Sequence, residues 1–272
     1  MAQHKGKRLE PRYISIQSAT LESGREIMSE FRRMGLPGDY FLEFNLRVLP
    51  RRGKASVLKG AMWGARNDIG PIFRSALFAS SGEIELQLLG QSGPQPSAWR
   101  HRVSHSAESS LPTGVEQLGP STLLDPILGT GISMFELQMP FIYWDDFIYE
   151  GVTKILGRAV HAFLMYPPDS FAAARPEIAG VRLHLDAQFN ALMQAVILDG
   201  NESTQRKLTV LDLKKLDDQW IVKSIDVRDE KTRDKVRFEV TGAALDLEFA
   251  AGLFAPAALM DTPGTPIGVT RF

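Results

Sequence analysis

The sequence predicts a mainly β protein of the α+β class: an antiparallel sheet of about ten strands that curls toward a barrel, with an N-terminal helix and one short helix later. Three observations carry this. Segments with period-two alternation follow one another over most of the 272 residues. The breaks between them are Gly, Pro, Ser or charged turns rather than crossover helices, and only two stretches carry helix signals.

The first element runs from about Ser18 to Met34, where Leu21, Ile27, Met28 and Phe31 fall near one face among charged neighbours, the spacing of an amphipathic helix. Gly35, Pro37 and Gly38 end it. From Tyr40 the period becomes two: Leu42, Phe44, Leu46 and Val48 alternate with Phe41, Glu43, Asn45 and Arg47, as in a half-buried strand. Similar segments at 55–66, 72–79 and 83–89 extend this into a meander. Residues 90–128 turn polar and rich in Pro, Gly and Ser, so only 98–103 reads as a strand and the rest as long connections. Ser133 and Glu136 have capping-box spacing ahead of Leu137, Met139, Phe141 and Ile142, which predicts a short helix disturbed at Pro140. Beyond Trp144, strands are expected at 149–156, 158–166, 181–187, 191–198, 206–216, 220–227 and 236–240, with turns at Gly157, Asp199-Gly200 and Leu216-Asp217-Asp218. The organisation expected is an N-terminal arm over 1–16, one domain over 17–260 and a Gly/Pro tail over 261–272.

Composition narrows the function classes. Lys and Arg number 31 against 32 Asp and Glu, so the chain lacks the basic excess that holds nucleic acid by charge. Cysteine is absent, which removes disulfides, thiolate catalysis and cysteine metal sites. No apolar run approaches the roughly 18 residues of a membrane helix. Met1 to Arg8 is basic but no apolar stretch follows, so it is not a secretory signal as it stands. The cytosol, or export on a signal outside this chain, both remain open.

Catalytic patterns are weak. Gly129-Thr130-Gly131 lacks the third glycine of a nucleotide fingerprint, and Gly53-Lys54 lacks the rest of a phosphate loop. Ser56 and Lys59 match a bare Ser-x-x-Lys, but in a strand that offset puts them on opposite faces. His101 and His105 have metal-pair spacing, yet Arg100 and Arg102 crowd them and no acid precedes Glu108. Asp145, Asp146, Glu150 and His161 form a nominal acid/base set, but adjacent aspartates diverge in a strand and His161 alternates with Phe163 and Met165. No catalytic site, metal or cofactor is expected. What stands out is apolar excess, 15 Phe against 5 Tyr with 9 Met. A curved sheet of this size has a concave face too broad for its own side chains, so it takes a helix inside or holds an apolar ligand.

The second half resembles a known family. Met134-Phe135-Glu136-Leu137 leading to Trp144, Gly157-Arg158 opening a strand that ends at Pro167-Pro168, and Gly180 to Asp186 are similar to the bacterial outer-membrane lipoprotein-sorting proteins, the LolA-like carriers. The similarity continues through Leu208 to Lys215, Gln219-Trp220-Ile221-Val222-Lys223, Lys235 to Val240 and Leu253-Phe254-Ala255-Pro256. It covers about half the chain, from 130 to 258. The resemblance implies a half-open antiparallel β-barrel closed by helices around an apolar cavity, in a non-enzymatic periplasmic carrier of lipoprotein acyl chains or another lipid. Inner- and outer-membrane lipoprotein transport proteins are its implied partners; nucleic acid is not. On this reading Leu42, Phe44 and Leu46 line the cavity with Ile84, Leu86 and Leu88, and Phe135, Leu137, Phe141 and Trp144 form the lid. Alternation leaves open which sheet face is concave. The alternative is a sensor or scaffold of the same fold acting through protein contacts.

Overall fold

The computed structural model describes residues 8–12, 20–103 and 114–272; expectations at Ser18, His105 and Glu108 fall outside them. Helix α1 spans Leu21–Arg33, and Thr20 caps it by accepting the Ser23 N–H at 3.2 Å. The strands are β1 Asp39–Leu49, β2 Ser56–Arg66, β3 Pro71–Phe78, β4 Ile84–Gln91, β5 Ser97–Arg102 and β6 Glu116–Leu118. After helix α2, Met134–Gln138, come β7 Phe147–Ile155 and β8 Arg158–Met165, then helix α3, Asp169–Ala174. The chain continues through β9 Gly180–Asp186, β10 Leu192–Leu198, β11 Thr204–Leu216, β12 Gln219–Asp229, β13 Lys235–Leu247 and β14 Thr270–Arg271. They form one open, mostly antiparallel sheet in the order β6-β5-β4-β3-β2-β1-β13-β12-β11-β10-β9-β8-β7, with β14 beside β13. Among the described residues there are 14 strands. The two with no counterpart among the ranges expected from alternation, β6 and β14, are three and two residues long, too short to show a period. No helix among the described residues is long and apolar enough to cross a membrane.

Two compact units divide the chain: Met1–Gly35, Phe141–Leu211 and Asp226–Asp234 make the first, and Leu36–Pro140, Asp212–Ile225 and Lys235–Phe272 the second. In the first, α1 packs on the face of β7 to β9 that carries Tyr149, Phe163 and Leu183, which sit opposite one another in the ladder. Gly24 permits this approach, because a Cβ there would lie 2.5 Å from the Tyr149 Cβ. Asn190 Nδ2 donates to the Ile27 carbonyl at 3.0 Å, and Arg32 donates to the carbonyls of Ile142 and Trp144, both at 2.8 Å. On the opposite face, Leu9 is buried among Leu164, Tyr166, Val196 and Leu198, and the Tyr166 hydroxyl donates to the Leu9 carbonyl.

Every residue of β9 is buried, including Arg182, His184 and Asp186. Arg182 donates to the fully buried Glu150 carboxylate at 2.6 and 3.1 Å, and the Arg12 backbone N–H donates to the same carboxylate at 2.7 Å. Burial, then the charges of Arg182 and Lys207, push His184 down to about 4, so it is neutral at pH 7.

In the second unit one sheet face carries Phe41, Ala61, Trp63 and Ala76, and Phe249, Leu253 and Phe254 pack over it. Leu259 is buried beside Ile72 and Leu89. Arg74 is almost fully buried, and desolvation lowers its pKa. It donates to Gln87 Oε1 and to the Leu253 and Asp261 carbonyls, while Gln87 Nε2 donates to the Leu259 and Asp261 carbonyls. Polar side chains on strands thus fasten the chain after β13. In the segment 261–272, Trp63 Nε1 donates to the Gly264 carbonyl and Arg271 pairs with Glu43.

Candidate apolar binding face

The other face of the second unit follows from register, since directly opposed residues share a face. One row reads Phe44, Gly60, Leu77, Leu86; the next reads Leu42, Met62, Ser75, Leu88. A third reads Tyr40, Gly64, Phe73, Gly90, and Leu46 lies opposite Leu58. Three glycines lie under side chains. A Cβ at Gly60 would come within 2.3 Å of the Phe44 ring, one at Gly64 within 2.0 Å of Tyr40, and one at Gly90 within 2.6 Å of Phe73 and Met134. Each omitted Cβ lets a ring or thioether lie flat on backbone. Phe44 also stacks on Phe238 of β13 at 4.6 Å, and burial raises the Tyr40 pKa.

Phe44, Leu46, Leu86 and Leu88 are buried on this face and Leu42 is half-buried there, packed beside Val240 and Ala243. Ile84 is not with them. The β3–β4 register shifts between Leu77 and Phe78, so Leu86 opposes Leu77 while Ile84 opposes Phe78. Glu85 is the extra residue of a β-bulge, and Ile84 turns to the opposite face among the Phe41 and Trp63 cluster.

The expected lid divides in two. Ser133 and Glu136 form a capping box: the Ser133 N–H donates to Glu136 Oε2 at 2.9 Å, and the Ser133 hydroxyl binds the same oxygen. Helix α2 ends at Met139, whose φ of 50° is left-handed, and a 3₁₀ turn covers Pro140–Tyr143. Phe135 is buried and Leu137 half-buried in the second unit, where Met134 sits against Gly90. Phe141 and Trp144 are buried in the first unit, edge to face at 6.3 Å, with Trp144 against Phe171 at 5.5 Å. Pro140 is the last residue before the division, so the one predicted helix became α2 in the second unit and a 3₁₀ turn of which Phe141 to Tyr143 belong to the first.

The nominal acid/base set is not assembled. Asp145 is exposed with Arg32 at 3.9 Å, Asp146 pairs with Arg8 at 2.8 Å, and Glu150 is bound by Arg182. His161 instead meets the Tyr149 hydroxyl at 2.7 Å, and burial lowers its pKa. His101 Nδ1 meets the Gly114 carbonyl at 3.2 Å. Among the described residues, no group of three or more His, Asp and Glu side chains has metal-binding geometry.

No family model matches the chain, and no curated protein matches it in sequence. Solved structures do match in fold. A DUF1329 family protein from Desulfovibrio piger superposes with a TM-score of 0.73 at 13% identity, covering 89% of this chain and 100% of its own. A domain assigned to outer membrane lipoprotein-sorting proteins, from Vibrio parahaemolyticus, gives 0.73 at 16% identity with the same coverage. A LolA superfamily protein from Nitrosomonas europaea gives 0.63 at 10% identity, covering 85% and 96%. At these identities the likeness concerns architecture, and it agrees with the open antiparallel sheet and its helices: this chain has the LolA-like fold.

Proposed function

We propose that the protein is a non-enzymatic periplasmic carrier that binds acyl chains of lipoproteins or another lipid, and exchanges them with inner- and outer-membrane lipoprotein transport proteins. The observation that carries this reading is the apolar face of β1 to β4 in the second unit, with a five-residue helix against it. A helix of one turn and a half has little stability of its own, so α2 stays only while it packs and is readily displaced. Each methylene that takes its place on the face is worth about 0.8 kcal/mol, enough for one acyl chain to be held without a charged anchor. The sorting-protein likeness supports the same reading.

Native mass spectrometry of protein purified from a bacterial host tests it. Retained lipid that an apolar fluorophore displaces is the expected result, and protein that neither retains lipid nor binds the fluorophore overturns it. One observation favours the alternative of a sensor or scaffold. Leu213 of β11 and Trp220 and Val222 of β12 stand exposed, Trp220 at 62%, where a partner protein would cover apolar surface. Under that alternative the chain arrives empty in the spectrometer.

A further inference from the structure

Packing is not all that holds α2. Its last residue ends a chain of hydrogen bonds that begins at an exposed turn. Between β2 and β3, Asn67 Oδ1 accepts the backbone N–H groups of Ile69 and Gly70, each at 3.1 Å, while Asn67 Nδ2 donates to Gln91 Oε1 at 2.7 Å. The buried Gln91 amide donates to the Ser92 carbonyl at 2.9 Å and, at 3.3 and 3.2 Å, to those of Gly70 and Pro71. Ser92 Oγ donates to the Gln138 carbonyl at 3.2 Å, and Gln138 Nε2 donates back to the Gln91 carbonyl at 2.6 Å and to the Ser97 carbonyl at 3.0 Å. Gln91, Ser92 and Gln138 are all buried, so water does not replace a bond that is lost.

The two backbone segments at the centre of this chain are pressed together by glycine. Gly70 has φ 151°, and a Cβ there would lie 2.6 Å from the Ser92 carbonyl oxygen. Gly93 has φ 135°, and its Cβ would lie 2.4 Å from the Ile69 carbonyl oxygen. Displacing the turn therefore disturbs Ser92 and Gln91 directly.

The geometry points to a latch: the Asn67–Gln91–Ser92–Gln138 chain couples the position of the β2–β3 turn to the closure of α2. It rests on the reading of α2 as the cover of the binding face, and makes the exposed turn the place from which the cover is released. The physical basis is cooperative. When Asn67 withdraws its amide, Gln91 Oε1 loses its donor, and the groups beyond it lose alignment together.

Asn67→Asp separates this from ordinary turn stability, because it keeps the Oδ1 acceptor for Ile69 and Gly70 while replacing the donor to Gln91 with an oxygen. The readout is amide hydrogen exchange at Phe135, Leu137 and Met139, which donate to the Leu123, Ser133 and Phe135 carbonyls. Asn67→Asp is expected to speed exchange there about fivefold, the factor for one net hydrogen bond, and Gln138→Ala by about tenfold or more. In the double variant the effect of Asn67→Asp largely disappears, since the chain is already cut. Faster exchange confined to 67–71, or full additivity in the double variant, overturns the latch. Should Asn67→Asp fail to fold, Asn67→Ser keeps an acceptor without the amide donor and is read the same way. Apolar fluorophore binding is measured alongside: coupled exchange with unchanged binding in all variants keeps the latch and removes the carrier reading.

Discussion

The two units close their sheet faces by different means. In the first, the 13-residue helix α1 is capped by Thr20, seats Gly24 on Tyr149, and is tied by Arg32 and Asn190 to backbone carbonyls and turns elsewhere in that unit. Its other face holds a buried ion pair that also grips the backbone at Arg12. In the second unit, the five residues of α2 rest on Gly90 through Met134 and are tied by Gln138 to the carbonyls of Gln91 and Ser97. The lesson is that burial alone does not tell a permanent cover from a removable one: Phe135 and Phe163 are equally buried, but the elements behind them differ in length and in how they are fastened.

The largest test falls on the first unit. Glu150→Ala strands the buried Arg182 guanidinium and frees the Arg12 amide, and is expected to cost about 3 to 5 kcal/mol, measured by urea unfolding. A loss below about 1 kcal/mol would mean that water reaches Arg182 and that this unit is not locked as described.

Next is pH. With His184 near 4 in the folded chain and about 6.5 unfolded, the unfolded state binds the extra proton between these values. Stability is therefore unaffected by this group above about pH 6.5 and falls as pH drops toward about 4, by roughly 3 kcal/mol in total. His184→Gln should flatten that part of the pH dependence relative to the parent chain. An unchanged slope would show that the imidazole is solvated.

A smaller effect belongs to the second unit. Gly90→Ala places a methyl against the buried Phe73 ring and the Met134 terminal methyl, and should cost about 1 to 2 kcal/mol while selectively loosening α2. Exchange that rises equally in β1 to β4 would contradict the removable cover. The smallest is Thr20→Ala, which removes the cap of α1 and should cost about 1 kcal/mol without releasing the helix, judged by its retained amide protection.

Much of this architecture was legible because periodicity reports burial: β1, β2, β3 and β8 lie within two residues of where alternation put them. The Ser133 and Glu136 pair announced α2 by chemistry local to four residues. Register was not legible. Ile84 shares parity with Leu86 and Leu88, and only the bulge at Glu85, formed against β3, sends it to the other face. The same holds for Glu150 with Arg182 and for Asn67 with Gln91, whose partners lie 32 and 24 residues away and meet through strand pairing. Helix α3 was missed, although Pro168-Asp169 ahead of an alanine run is a helix start that the two-helix expectation passed over.

Trp220 gives the molecule a built-in optical reporter. Trp63 and Trp144 are buried and Trp99 is half-buried against Leu89 and Leu259, whereas the Trp220 indole stands in solvent on β12. Intrinsic emission therefore contains a red-shifted component that acrylamide quenches first, and its wavelength and quenching constant track coverage of the β11–β12 surface without any added label. Addition of acylated ligand should leave that component in place if the ligand lies on the β1 to β4 face, while a protein seated on the exposed row would shift it to the blue and shield it.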